Sequence, residues 1–198
     1  MRPVSSPSSL SIKELTLKAN EIREDIIQAL VTAKSGHSAG PLGMADIFTA
    51  LYFQVLHIDP KQPSWPLRDR VVLSNAHICP VLYATLAQRG FCKRQDFLQT
   101  LRKLDSMFQG HSNNHYGIGI ETCGGPLGQG LSQAVGMALA GRLDQATWRV
   151  YALLSDGELD EGQTWEAVMM AGKERLRNLT AIVDRNNIHI DGYTENIM

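Results

Sequence analysis

Two stretches decide the fold: WRVYALLSDGELDEG at residues 148–162, and LTAIVDRNNIHIDG at residues 179–192. In each a mainly apolar run, Trp148 to Leu154 and Leu179 to Val183, breaks into polar residues. Ser155, Asp156 and Gly157 follow the first run; Asp184, Arg185 and Asn186 follow the second. Short apolar runs of this kind read as buried strands. Between them Trp165, Val168, Met169, Gly172 and Leu176 mark one helical face, and Trp165 with the Met169, Met170 pair is expected in the core. The unit is strand, helix, strand with a right-handed crossover, so the strands pair in parallel.

Working outward, Ser11 and Glu14 form a capping box before Leu15, Ala19, Ile22, Ile26, Leu30 and Ala33, an amphipathic helix ending near Gly36. Met44, Ile47, Phe48, Leu51, Tyr52 and Val55 give a second helix. Val71 to Leu73 reads as a strand, followed by Ser74, Asn75 and His77 and by a helix from Pro80 to Gly90. Residues 108–125 are polar and glycine-rich without a period, and long ordered loops of this type are usually functional. From Gly128 to Leu143 small residues dominate a helical pattern in which Gly130, Gly136 and Gly141 allow close backbone approach. The expected fold is α/β: a doubly wound, mostly parallel sheet flanked by helices. Residues 1–10 are expected to be a disordered tail and residues 11–198 one domain truncated at its carboxyl end.

The 198 residues carry 19 basic against 20 acidic side chains, so there is no broad positive field for nucleic acid or an anionic membrane. No run approaches the roughly 20 apolar residues of a membrane span, and the opening lacks a secretory apolar segment. The cysteines Cys79, Cys92 and Cys123 show no close pairing, which suits a reduced cytoplasmic setting.

Ligands of open parallel sheets bind beyond the carboxyl ends of the strands, so the two polar clusters should face one site. Asp156 offers a carboxylate oxygen, Asn186 an amide oxygen and Ile188 a main-chain carbonyl. Three such ligands suit Mg²⁺, or another divalent cation, that also holds a diphosphate. Gly157 keeps a side chain away from backbone amides that would meet phosphate oxygens, and the following helix can point its amino-terminal dipole there.

SDGELDEG followed about thirty residues on by DRNNIHIDG resembles the thiamin diphosphate signature of transketolase-like enzymes. SGHSAGPLG around His37, DRVVLSNAHICPVLYA around His77, and GHSNNHYGIGIETCGGPLGQG at residues 110–130 resemble transketolase segments in the family's order. One departure is Ser155, where the family has glycine. The resemblance implies the thiamin diphosphate-binding fold, and it is greatest to the amino-terminal subunit of split transketolases. By position it places Asp156, Asn186 and the Ile188 carbonyl on magnesium, and His77, Gly125, Leu127, Ser155 and Gly157 along the cofactor. His37, His77 and His111 would be catalytic, around the reacting carbons, and Glu161 would lie at a subunit contact. It further implies transfer of a two-carbon ketol unit from a ketose phosphate to an aldose phosphate, as in the pentose phosphate pathway. A pyrimidine-binding carboxy-terminal subunit would be the partner, in a dimer of heterodimers; the helix from Gly128 to Leu143, whose small residues permit close approach, is a candidate for part of the contact surface.

A deoxyxylulose phosphate synthase or a 2-oxo acid dehydrogenase component would share the SDG and asparagine motifs, but SGHSAGPLG and SNAH favour transketolase. A non-catalytic cofactor-binding or assembly subunit is the reading from another class. His57, His115 and His189 are left as loop residues. The His111, His115 pair sits in loop sequence rather than on a zinc-binding helix, and GIGIET lacks the third glycine of a dinucleotide fingerprint. Cys123 is expected to be a small packing residue.

Overall fold

The computed structural model describes residues 10–190 and 192–197. Nine of the ten expected tail residues lie outside that range; Leu10 does not behave as tail. Its side chain packs half-buried against the core, and its carbonyl accepts from Gln54 Nε2 at 2.7 Å.

Helix α1 (Ile12–Ala33) opens on the Ser11–Glu14 capping box and buries Ala19, Ile22, Ile26 and Ala29. Its buried Asp25 is satisfied from outside the helix, accepting from Gln88 Nε2 and Arg94 Nε at 2.8 Å each. A short α2 (Ala39–Gly43) precedes α3 (Ala45–Ala50), which runs on through a π turn at Leu51–Val55. Strand β1 (Arg70–Leu73) leads to α4 (Cys79–Arg89), with Pro80 in its first turn and Gly90 as its left-handed cap. The seven-residue α5 (Arg94–Thr100) is too short to show a period in the sequence. Then come α6 (Gln129–Leu143), β2 (Val150–Ser155), α7 (Gly162–Glu174), β3 (Leu179–Asp184), a small hairpin of β4 (Ile188–His189) and β5 (Gly192–Tyr193), and α8 (Thr194–Ile197).

The sheet has order β1-β2-β3 and is parallel throughout, with Leu73 beside Leu153 and Ser155 beside Asp184. Side chains alternate across it. Val71, Leu73, Tyr151 and Leu153 join α1, α3 and α4 in one core, including Ile26, Phe48 and Leu86. Val72, Val150, Ala152 and Leu154 join Leu131, Ala134 and Ala138 of α6 and Ala167 of α7 in another. Helices therefore cover both faces, the doubly wound arrangement expected. All six residues of β2 are buried.

The other expected buried strand is not buried: among the described residues β3 lies at the edge opposite β1, and Thr180, Ala181 and Val183 are exposed. The stripe on α7 is also turned outward, for Trp165 is 52% and Met169 66% exposed, with Val168 and Met170 exposed beside them. The reason lies in α6, whose small residues let α7 approach through Thr164 and Ala167 instead, leaving of the stripe only Leu176 inside. Gly130 and Gly141 do permit close approach, to Ser74 and to the Trp148 ring, whereas a Cβ on Gly136 would meet nothing within 4 Å.

A Cβ at Gly130 would lie 2.5 Å from Ser74 Cβ and 2.6 Å from Ser74 Cα, which is backbone and cannot swing away. Gly130→Ala should therefore destabilise the chain by about 1–3 kcal/mol in urea unfolding. Gly136→Ala should stabilise it by up to about 1 kcal/mol, through helix propensity alone. Equal effects at the two positions would mean that α6 is not seated on β1 as described.

Candidate functional site

The parallel register brings the ends of β2 and β3 together, and Asp156 ties them. Its N–H donates to the Asp184 carbonyl at 3.1 Å. Its carboxylate, only 4% exposed as a residue, accepts from Gly157 N–H at 3.0 Å, Asn187 N–H at 2.7 Å and Thr194 Oγ1 at 3.2 Å. A carboxylate has about four acceptor positions, so one remains for a cation. Asn186 is exposed; its Oδ1 accepts from Ile188 N–H at 3.0 Å, and its Nδ2 donates to Asp184 Oδ2 at 3.2 Å. The Asn187 N–H bond to Asp156 brings the Asn186 loop up to the end of β2, and the oxygens of Asp156 and Asn186 are of the kind that suits a hard divalent cation.

Between Asp156 and α7 lies a 3₁₀ turn, Gly157–Asp160, so the helix begins only at Gly162 with the exposed Glu161 as its N-cap. A Cβ on Gly157 would sit 3.1 Å from the His189 ring. His189 is therefore a packed part of the site rather than a free loop residue. Its Nδ1 lies 3.6 Å from Asp160 Oδ2, and nothing in the sequence pattern pointed to it.

His37 lies between α1 and α2, His77 in a 3₁₀ turn at Ala76–Ile78 after β1, and His111 in the long loop. Far apart in sequence, they converge in space: the His37 and His77 rings are 5.3 Å apart. Burial lowers the pKa of His77 below 6.5, and His37 and His111 lower it further. His111 is lowered too, by burial first and then by His37 and Arg102.

The long loop is held by specific anchors. Tyr83 Oη donates to the carbonyls of Gln109 and His111 at 3.0 and 3.3 Å, and Gly124 N–H donates to the Ser112 carbonyl at 3.0 Å. Arg68 grips Glu121 at 2.6 and 3.1 Å; burial raises the Glu121 pKa while Arg68 and Arg70 pull it down. Gly125 and Leu127, both half-buried, lead from this loop into α6. Against the end of β1 lies a cavity of about 360 Å³ lined by Ser74, Gly124, Gly125, Pro126, Gln129 and Gly130 among others. Cys123 is not a packing residue: it is exposed, with Sγ 3.1 Å from Asn114 Oδ1.

Asn75 is fully buried beside this cluster, and neither its amide nitrogen nor its amide oxygen has a hydrogen-bond partner among the described residues. Buried polar groups are almost always paired, so an orphan amide next to His77 marks a place where a polar ligand fits. Glu158 was also missed by sequence reasoning; it is wholly buried and accepts from Ser74 Oγ, Gly128 N–H and Ser155 N–H. A charged residue in a glutamate-rich turn looks solvent-facing, so no periodic signal could reveal it.

Residues 15–198 match the family of transketolase thiamine diphosphate binding domains. The chain belongs to that family. It is 44% identical over 184 residues to a 6-deoxy-6-sulfo-D-fructose transketolase subunit of Clostridium sp. (strain MSTE9), covering 93% of this chain and 66% of that one. It is 39% identical over 189 residues to an apulose-4-phosphate transketolase subunit of Phocaeicola vulgatus, covering 96% of this chain and 66% of that relative. A Campylobacter jejuni transketolase crystal structure superposes with a TM-score of 0.90 at 36% identity, covering 96% of this chain and 31% of that one. The chain thus spans about two-thirds of the length of these two subunit relatives. None of the helices among the described residues is long and apolar enough to cross a membrane.

The histidine cluster of this transketolase-family chain gives a pH signature. Because folding lowers the pKa of His77 and His111, the unfolded chain binds more protons near 6.5, and their contribution to stability is lost as pH falls through that value. In imidazole NMR titrations both midpoints should lie below 6.5, and His37→Ala should raise both without restoring the ordinary value, since burial is the larger cause. Midpoints indifferent to His37 would show that the three rings do not share one site.

Proposed function

We propose that this chain is the diphosphate-binding part of a transketolase and, together with a pyrimidine-binding partner subunit, transfers a two-carbon ketol unit between an anionic ketose and an aldose phosphate. The observation that carries the reading is the convergence of His37, His77 and His111 at the end of β1, in the sheet whose neighbouring strand ends bear Asp156 and Asn186. The segments that carry His37 and His77 favour transketolase over deoxyxylulose phosphate synthase-like and dehydrogenase-like readings, and three histidines that magnesium does not need argue against a purely structural one.

Asp156, Asn186 and the Ile188 carbonyl would hold Mg²⁺, and Ser155, Gly157, Gly125, Leu127 and His77 would line thiamin diphosphate. When bound, thiamin diphosphate supplies the nucleophilic carbon and the electron sink for ketol transfer. The protein's part is to hold the sugar and move its protons. His77 and His111, with lowered pKa values, are largely neutral near pH 7, so each can accept a proton from a substrate hydroxyl and return it. His37, 5.3 Å from His77, can hydrogen-bond a sugar oxygen in the same place. The named substrates of the relatives support a ketose bearing a sulfonate or a phosphate. The relatives' description as subunits supports a partner, with Glu161 and α6 as our candidates for contacts in a dimer of heterodimers. The free thiols of Cys79, Cys92 and Cys123 support a cytoplasmic location.

Two outcomes test this. Asp156→Ala should abolish the Mg²⁺-dependent binding of thiamin diphosphate in calorimetry, because it removes the only formal negative charge among the proposed ligands. Unchanged affinity would put the metal elsewhere. His111→Ala should lower sugar turnover by about 10²-fold while leaving cofactor affinity near the parent value; full activity would return His111 to a loop role.

A further inference from the structure

We propose that Glu158 is the positioning residue of the cofactor site: its buried carboxylate fixes the loop before α6 against the ends of β1 and β2. The residue is 0% exposed. Oε1 accepts from Gly128 N–H at 2.8 Å and from Ser74 Oγ, and Oε2 accepts from Ser155 N–H at 3.1 Å. Ser74 Oγ in turn accepts from Gly130 N–H at 3.0 Å, and the Glu158 carbonyl accepts from Thr164 Oγ1 at 2.9 Å in the first turn of α7. One side chain thus joins the ends of two neighbouring strands and the start of α6, and its backbone reaches the start of α7.

Among the described residues no lysine or arginine pairs with Glu158; its charge rests on hydrogen-bond donors and on the positive end of α6. Gly128 is the N-cap of that helix in the left-handed conformation at φ 78°, and supplies no capping side chain. Glu158 and Ser74 satisfy two of the amides that a helix start leaves open. Two of the amides at the amino end of α6 are therefore taken by acceptors from within the chain. What Glu158 does for the cofactor is geometric. Gly125 and Leu127 reach the site through Gly128, Asp156 and Gly157 lie between Ser155 and Glu158, and Asn75 and His77 follow Ser74. All of them are set by groups that converge on one carboxylate.

The cofactor part of this inference rests on the transketolase reading; the positioning part does not. Glu158→Gln keeps size but presents an NH₂ where a backbone N–H must be accepted. Amide hydrogen exchange on the full chain should show Gly128 and Ser155 exchanging roughly ten- to a hundredfold faster, with Val72 and Leu153 in the sheet at parent rates. Calorimetry with Mg²⁺ and thiamin diphosphate should show affinity lower by roughly tenfold. Parent exchange rates at Gly128 and Ser155, or a uniform acceleration that includes Val72 and Leu153, would overturn the proposal. So would parent affinity with loosened amides. If Glu158→Gln fails to fold, Ser74→Ala decides: it should free Gly130 N–H while Ser155 keeps its protection, and protected Gly130 would overturn the network. A parent chain that binds no thiamin diphosphate even when assembled with a pyrimidine-binding partner subunit would sink the functional reading, and the exchange result would then decide the role of Glu158 by itself.

Discussion

The parallel pairing of β2 with β1 and β3 is the constraint from which the site follows. β2 is buried on both faces, so its register is fixed by which residues must enter which core: Tyr151 and Leu153 toward α4, Ala152 and Leu154 toward α6. A one-residue slip would exchange these sets and push Tyr151 into a space shaped for alanine. With the register fixed, Ser74, Ser155 and Asp184 end at one edge, and every polar group that follows them opens onto the same region. Chemistry is thus placed by apolar packing in the sheet beneath it.

Loops that extend beyond that edge carry the functional groups and need separate anchors. Glu158 stitches the strand ends to α6, Asp156 joins the turn after β2 to the Asn186 loop, and Tyr83 with Arg68 and Glu121 holds the long loop that bears His111. The anchors use buried hydroxyls and carboxylates, which are costly to leave unpaired, so each loop has one favoured seat. That suits a site in which His77 and His111, their pKa values lowered by burial, must be held beside His37.

The strands, their parallel order and the long helices were legible because period and punctuation carry them: the Ser11 cap, Pro80, and the apolar runs before Asp156 and Asp184. The histidines, Asp156 and Asn186 were legible as motifs, though nothing local says that His37, His77 and His111 meet. What stayed hidden is tertiary. Trp165 and Met169 fit a core pattern, yet α6 admits α7 through Thr164 and Ala167, so the larger side chains face outward. β3 reads like β2 but lies at the edge. Gly136 looks like Gly130 in sequence, and only the position of Ser74 separates them. Glu158, Asn75 and His189 belong to no periodic pattern; their roles arise where separate segments cross.

The central claim is that the metal-bound diphosphate of the cofactor lies at the ends of β2 and β3. At 21.9 kDa the chain suits NMR, and Mn²⁺ in place of Mg²⁺ broadens the amides nearest to it. With thiamin diphosphate and Mn²⁺ added together, the amide signals of Asp156, Gly157, Asn186 and Ile188 should disappear first, while those of α1 and α5 persist. Broadening centred on another part of the chain, or the same pattern with and without thiamin diphosphate, would contradict the account.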